Sequence, residues 1–289
     1  MFELLPGRLR LNNPVMAASG TFGYGVEFAQ RVDVSLIGGV VCKGITLKPR
    51  AGNPPPRIVE TAAGVLNSIG LANVGVEAVI RDLAPRWAQM ATPVIVNING
   101  ESIHEYVQLA TALDGIDGVA GLELNISCPN VREGGMTFGR DPRMAAEVTR
   151  SVRVASKLPL IVKLTPNTAD LTAVAKAVVD AGAEALTVAN TYLGLDMSCK
   201  RGSDGSPLLG GLSGPAIKPL TLRLVYELRG EVAVPIIGCG GIMNAEDARE
   251  YFMAGARAVQ VGTASLVDPF AIPRIASELA QKHRSARPG

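Results

Sequence analysis

Two lysines stand inside otherwise apolar runs: Lys43 in GGVVCKG (38–44) and Lys163 in PLIVKLT (159–165). An ammonium group in such a run must reach a solvated pocket or meet an anion. A Schiff-base amine for carbonyl chemistry is the other use of a lysine placed like Lys163. Asn67, Asn97, Asn125, Asn130 and Asn190 recur at loops and run ends. An amide both donates and accepts, so a group of them suits the imide and carbonyl edge of a ring, although a single Asn in a turn is usually structural. Cys128 lies just past the run GLELNIS (121–127), beside Pro129. A loop thiol there is a nucleophile, a base or a bystander, and an ordinary pKa of roughly 8.5 makes it a usable base at mildly alkaline pH. Gly240-Gly241 and Gly262-Thr263 follow two further runs. Small residues let backbone N–H groups approach phosphate oxygens without obstruction.

These groups need a frame. Apolar runs recur at PVMAAS (14–19), 38–44, PVIVNIN (93–99), 121–127, 159–165, ALTVANT (185–191), PIIGCGG (235–241) and AVQVGTA (258–264). Each is short, rich in Val, Ile or Leu and bounded by Gly, Pro, Asn or Asp, which reads as a buried strand. Helical patterns lie between them at 76–90, 142–156, 170–181, 216–229, 245–254 and 269–282. Asp141-Pro142 and Asp268-Pro269 look like helix starts, and Gly182 and Gly255 like helix ends. Eight such strands alternating with helices predict a parallel (β/α)₈ TIM barrel in one domain, residues 1–289. A doubly wound sheet would place its glycine fingerprint after the first strand, whereas the paired glycines here follow the seventh and eighth. Residues 1–13 predict a lid or hairpin under the barrel, and 45–75 and 192–213 predict long connections of the kind that often carry function. The tail, 283–289, reads as frayed. Every strand ends in polar or small residues: Ser19, Lys43-Gly44, Asn97 and Asn99, Asn125, Lys163, Asn190-Thr191, Gly240-Gly241 and Gly262-Thr263. In a parallel barrel those ends share one rim, where active sites gather.

Composition narrows the class. The 289 residues are 47% hydrophobic and only 4% aromatic, so the core is aliphatic. With 28 Lys+Arg against 26 Asp+Glu the net charge is +2, which gives no reason to expect a nucleic acid as partner. No window approaches the roughly 18 to 20 unbroken apolar residues of a membrane span, and the first residues lack a signal-peptide core. Cys42, Cys128, Cys199 and Cys239 form no CxxC pair and no metal spacing. Cys42 and Cys239 sit in strand-like runs as buried thiols. The expectation is a cytoplasmic, disulfide-free protein without a metal.

The segments NPVMAASGTFGYG (13–25), VVCKGITLKPRAGNPPPR (40–57), LNSIGL (66–71), ELNISCPNV (123–131), TVANT (187–191), GGLSGPAIKP (210–219), GCGGI (238–242) and QVGTA (260–264) resemble, in order, the class 1 dihydroorotate dehydrogenases. Cys at 128 is the class 1 residue; class 2 enzymes carry Ser there and a membrane segment. TFGYG and VCKGIT are most similar to the NAD-dependent type 1B catalytic subunit. Position 42 departs from the pattern, with Cys where Val is usual.

The resemblance implies an FMN-binding barrel that oxidises dihydroorotate to orotate in pyrimidine biosynthesis. FMN would be held by Ser19, Lys43, Gly44, Asn97, Asn125, Lys163, Ala189, Gly214, Gly240, Gly241, Gly262 and Thr263. Orotate would be held by Lys43, Asn67, Ser68, Ile69, Gly70, Leu71, Asn125, Asn130, Asn190 and Thr191. Cys128 would be the base that takes the proton from C5, with Lys43 also in the catalytic set. It further implies a homodimer within a heterotetramer, whose partner carries FAD and a [2Fe–2S] cluster and passes electrons to NAD. Four readings compete: a tRNA-dihydrouridine synthase, also an FMN barrel with a Cys-Pro pair; a fumarate-dependent dihydroorotate dehydrogenase; a non-catalytic FMN electron carrier; and an aldolase using Lys163.

Overall fold

In the computed structural model, which describes residues 1–127, 138–201 and 205–285, fourteen strands form three sheets. In chain order they are β1 (Phe2–Leu5), β2 (Leu9–Leu11), β3 (Val15–Ala17), β4 (Gly39–Val41), β5 (Ile58–Thr61), β6 (Gly64–Asn67) and β7 (Val94–Ile98). Then follow β8 (Val119–Asn125), β9 (Leu160–Lys163), β10 (Ala185–Val188), β11 (Tyr192–Arg201), β12 (Ser206–Ser213), β13 (Ile236–Cys239) and β14 (Ala258–Val261). The eight apolar runs are the eight strands of a closed barrel in the order β3-β4-β7-β8-β9-β10-β13-β14. Every pairing in it is parallel, and β14 closes onto β3 through Val259 opposite Val15 and Val261 opposite Ala17. These strands are mostly apolar and do not alternate, because helices cover one face and the barrel interior the other. β7, β9, β10, β13 and β14 are buried at every position.

Successive side chains on a strand point to opposite faces, and the two faces differ here. Val96, Leu122, Val162, Leu186, Val259 and their neighbours pack outward into the large core shared with the helices. Met16, Val41, Ile95, Ile161, Ala185, Ile237 and Ala258, from seven strands, cluster instead with Leu4, Leu5, Leu9 and Leu11. The β1–β2 hairpin, antiparallel with Phe2 opposite Leu11, therefore stoppers the barrel from below, as residues 1–13 predict.

The helices begin where capping chemistry places them. Asp141 accepts from the backbone N–H of Arg143 and Met144 at the start of the helix Pro142–Ala155. Asp170 caps Leu171–Asp180, and Asn244 caps Ala245–Ala254, which ends at Gly255 in the left-handed conformation. Asp268 accepts from Phe270 just before the helix Ala271–Ser285. The expected helix at 76–90 is an α-turn, a π-segment and a second α-turn ending at Trp87. Residues 103–113 form a further helix, capped by Ser102.

Segments 45–75 and 192–213 are not merely connections. They supply β5, β6, β11 and β12, a four-stranded antiparallel sheet in the order β11-β12-β6-β5. One of its faces is open: Ile58, Leu193, Leu195, Met197 and Leu209 are all exposed. Lacking a buried face on both sides, these strands carry none of the continuous apolar signal that marks the barrel. Cys42 and Cys239 are buried free thiols, and burial pushes the Cys42 thiol up to about 12.

Candidate active site

Two residues above the apolar floor, the same strands turn polar. Asn97 follows Ile95, Lys163 follows Ile161, Thr187 follows Ala185 and Gln260 follows Ala258, while Glu123 sits opposite Asn97 in the register of β7 and β8. The period of two puts all of these side chains inside the barrel, and they bond to one another. Glu123 is fully buried; one carboxylate oxygen accepts from Asn97 Nδ2 at 2.7 Å, and the other from Gln260 Nε2 at 2.6 Å and Thr187 Oγ1 at 2.9 Å. Lys163 Nζ lies 3.7 Å from Glu123 Oε1 and donates to Ser19 Oγ at 3.3 Å and Gln260 Oε1 at 3.4 Å.

Burial drags the Lys163 pKa down, but the Glu123 carboxylate, with Cys239 adding to it, more than offsets this, and the net shift is upward. A lysine kept protonated is a fixed cation and a poor nucleophile, which argues against a Schiff base at this position.

The layer continues upward through amides. Asn99 Nδ2 donates to Asn97 Oδ1 at 2.8 Å, and Asn99 Oδ1 is buried with no partner among the described residues. Gly44 lies against this pair: a Cβ on it would collide with Asn99 Nδ2 and come within 2.7 Å of Asn97 Oδ1. Around the rim the glycines after β13 pack against the end of β12. Gly241 has φ +68, and a Cβ there would meet the Gly214 carbonyl oxygen and Lys218 Cβ, each at 2.8 Å. Thr263, after β14, donates to Ser213 Oγ at 2.9 Å, and Gly262 lies beside Ala18. Gly214, Gly240, Gly241, Gly262 and Thr263 thus line one sector of the rim.

The second sector is built by the small sheet. Asn67 ends β6 and donates to the Gly211 carbonyl of β12 at 3.0 Å. Thr191 packs so closely on Gly211 that no Cβ fits between them. The Ser68–Leu71 loop is pinned from outside: Asn53 donates to the Ser68 carbonyl at 2.9 Å and takes up the Ile69 carbonyl through its own backbone N–H. Asn73 Nδ2 holds the Leu71 carbonyl at 2.7 Å, where Leu71 adopts φ +55, past Gly70 at φ +72. Asn125, ending β8, accepts from Asn190 Nδ2 at 3.3 Å and from the Ser127 backbone at 3.1 Å. Ala189, between Val188 and Asn190, donates its backbone N–H to the Cys239 carbonyl.

Lys43, two residues past β4, is half-buried. Burial lowers its pKa first and the Arg57 charge lowers it further, against a smaller opposing pull from Glu27. Its ammonium makes no hydrogen bond or ion pair among the described residues. Cys128 and Asn130 lie outside the described residues.

Sequence reasoning singled out neither Glu123, Thr187 and Gln260 inside the barrel nor Asn53 and Asn73 behind the loop. A signal for the first three was present: each is a polar residue within a largely apolar strand, in phase with Asn97 or Lys163.

Across residues 6–282 the chain matches the family model described as "Dihydroorotate dehydrogenase". A protein of Citrifermentans bemidjiense is 53% identical over 277 residues, covering 94% of this chain and 90% of the relative. One from Pelobacter propionicus is 54% identical over 283 residues, 96% and 93% of the two chains. One from Desulforudis audaxviator is 52% identical over 277 residues, 94% and 89%. All three are named "Dihydroorotate dehydrogenase B (NAD(+)), catalytic subunit". With this coverage, and with the closed parallel barrel its strands form, the chain belongs to the dihydroorotate dehydrogenase family.

Proposed function

We propose that this chain oxidises dihydroorotate to orotate in pyrimidine biosynthesis, as the FMN-bearing catalytic subunit of an NAD-linked enzyme. The observation that carries the proposal is the polar layer beneath the rim in a chain of this family: a buried, charged Lys163 beside a glycine-lined sector and a ring of amides. The residues fit FMN. Gly214, Gly240, Gly241, Gly262 and Thr263 offer small residues and backbone N–H groups to a phosphate. Gly44 leaves room for close approach over Asn97, and the unpaired Asn99 Oδ1 is an acceptor suited to a ring N–H. Ser19, Lys163, Asn125 and Ala189 complete the holding set.

FMN, when bound, supplies the acceptor for the hydride from C6 of dihydroorotate. The chain's own residues orient the substrate and move the proton. Asn67, Asn125, Asn130, Asn190, Thr191 and the Ser68–Leu71 loop hold the pyrimidine. The partially desolvated Lys43, beside Arg57, has every reason to take an anionic group of substrate or cofactor. Cys128 removes the C5 proton, a contribution of about 10² to 10⁴ in rate.

The electrons then leave through a partner subunit carrying FAD and a [2Fe–2S] cluster, in a heterotetramer built on a homodimer of this chain, in the cytoplasm. No helix among the described residues is long and apolar enough to cross a membrane. The test is the visible spectrum of the purified protein: a yellow flavin band that dihydroorotate bleaches is expected, and a colourless protein inert to dihydroorotate overturns the proposal. Turnover should be slow with NAD alone and with fumarate alone, and fast with NAD once the partner is co-expressed. Rapid turnover with fumarate and no partner would replace the NAD-linked reading with the fumarate-dependent one.

A further inference from the structure

We infer that Glu123 is a positioning residue for the cofactor, holding Lys163 in place as a buried cation and turning the Asn97 amide so that its oxygen faces the rim. This rests on the FMN reading above. All of Glu123's hydrogen-bond neighbours are donors: Asn97 Nδ2, Thr187 Oγ1 and Gln260 Nε2. They come from β7, β10 and β14, and Lys163 on β9 stands at ion-pair distance beside them. Because Gln260 gives its N–H₂ end to Glu123, its carbonyl end is left for Lys163 Nζ at 3.4 Å, so the carboxylate engages the ammonium both directly and through Gln260. Because Asn97 gives its N–H₂ end to the same carboxylate, its Oδ1 takes Asn99 Nδ2, and Asn99 is left presenting an unpaired acceptor. One buried carboxylate therefore sets the orientation of two amides and one ammonium.

Stability alone does not account for this arrangement. Replacing a buried ion pair by well-packed apolar residues is often neutral or stabilising, and the floor one layer below is apolar in seven strands. The titratable groups that face Lys163 Nζ are Glu123 on β8 and the Cys239 thiol on β13, which is itself buried and shifted upward by that burial. Ser19, and Gln260 on β14, supply neutral contacts. Without Glu123 the largest charge that opposes desolvation is gone and only the smaller pull of Cys239 remains, so desolvation favours the neutral form of the ammonium.

The test is FMN affinity against pH between 7 and 9, measured by flavin fluorescence on the full chain stripped of FMN and retitrated. In Glu123→Gln, Lys163 should lose its proton at a lower pH than in the wild type, so the Kd for FMN should rise from pH 7 to 9 by at least tenfold more than it does in the wild type. Adding Lys163→Met should abolish that step. The exchange Glu123→Gln/Gln260→Glu, which keeps one carboxylate beside Nζ, should return the wild-type profile. A Glu123→Gln profile parallel to the wild type, or a step that survives Lys163→Met, overturns the inference. If Glu123→Gln alone does not fold, the exchange variant decides: a wild-type profile supports the role, and failure to bind FMN in a folded barrel, judged by circular dichroism, rejects it. A wild-type chain with no affinity for FMN would instead strike at the proposed function.

Discussion

The barrel interior holds two storeys made by the same strands. The lower is Met16, Val41, Ile95, Ile161, Ala185, Ile237 and Ala258 over the leucines of the hairpin. The upper is Asn97, Glu123, Lys163, Thr187 and Gln260, fully or almost fully buried as well. Burial is the same in both, but the chemistry is not. The lower storey gains free energy from apolar area removed from water, at roughly 25 cal/mol per Å². The upper gives up that gain and adds the desolvation of two charges. The difference marks where the interior changes from apolar to polar, within two residues along a strand, and the proposed cofactor role begins at that change.

The largest effect should come from the proposed base. Cys128→Ala should bind FMN normally and lose about 10² to 10⁴ in the rate of flavin reduction by dihydroorotate. Stopped-flow bleaching at near wild-type rate would remove Cys128 from its role as base. Next, Ile161→Ala in the lower storey should cost about 2 to 5 kcal/mol of stability, seen as a lower Tm or denaturant midpoint, with FMN bound in the molecules that remain folded. Lys163→Met, two residues on, leaves Glu123 as a buried carboxylate without its cation and should also lower Tm, at a cost of about 3 to 5 kcal/mol, but unlike Ile161→Ala it should bind FMN at least tenfold more weakly, on the order of 1.4 kcal/mol. If Ile161→Ala weakens FMN binding as much as Lys163→Met does, the two storeys do not differ in purpose.

The smallest effect concerns Lys43. Burial and then Arg57 lower its pKa, so its positive charge is lost at a lower pH than that of a free lysine. Orotate binding, followed by the spectral change of the flavin, should weaken as pH rises through that lowered value. Arg57→Met removes one cause of the depression, so the alkaline limb should move to higher pH. A limb that stays in place would separate Lys43 from the substrate.

The eight barrel strands were legible because each is buried on both faces and reads as a short, mostly apolar run. The small sheet was not, because β11 and β12 mix Leu193, Leu195 and Leu209 with Gly194, Gly210 and Gly211 and expose one face. Its pairing is decided by residues far apart, such as Leu212 with Leu66 and Leu195 with Leu209. Within the site, Lys43 and Lys163 announced themselves as charges in apolar runs. Glu123 and Gln260 broke the same rule but drew no attention one at a time; only their shared phase with Lys163 and Asn97 makes them a set. Asn53 and Asn73 left no trace in the sequence, since the loop that each holds is known only once the chain is folded.

The stopper at the foot of the barrel has one more consequence. With the hairpin leucines and both packed storeys beneath it, the site opens toward the rim and not through the foot of the barrel. Molecules must take turns: the product has to vacate before the next substrate comes in, so orotate should compete with dihydroorotate for the free chain. Electrons are exempt from the queue, because they cross packed side chains without needing a passage. A second protein can therefore be wired to the cofactor from outside the walls and never wait at the door.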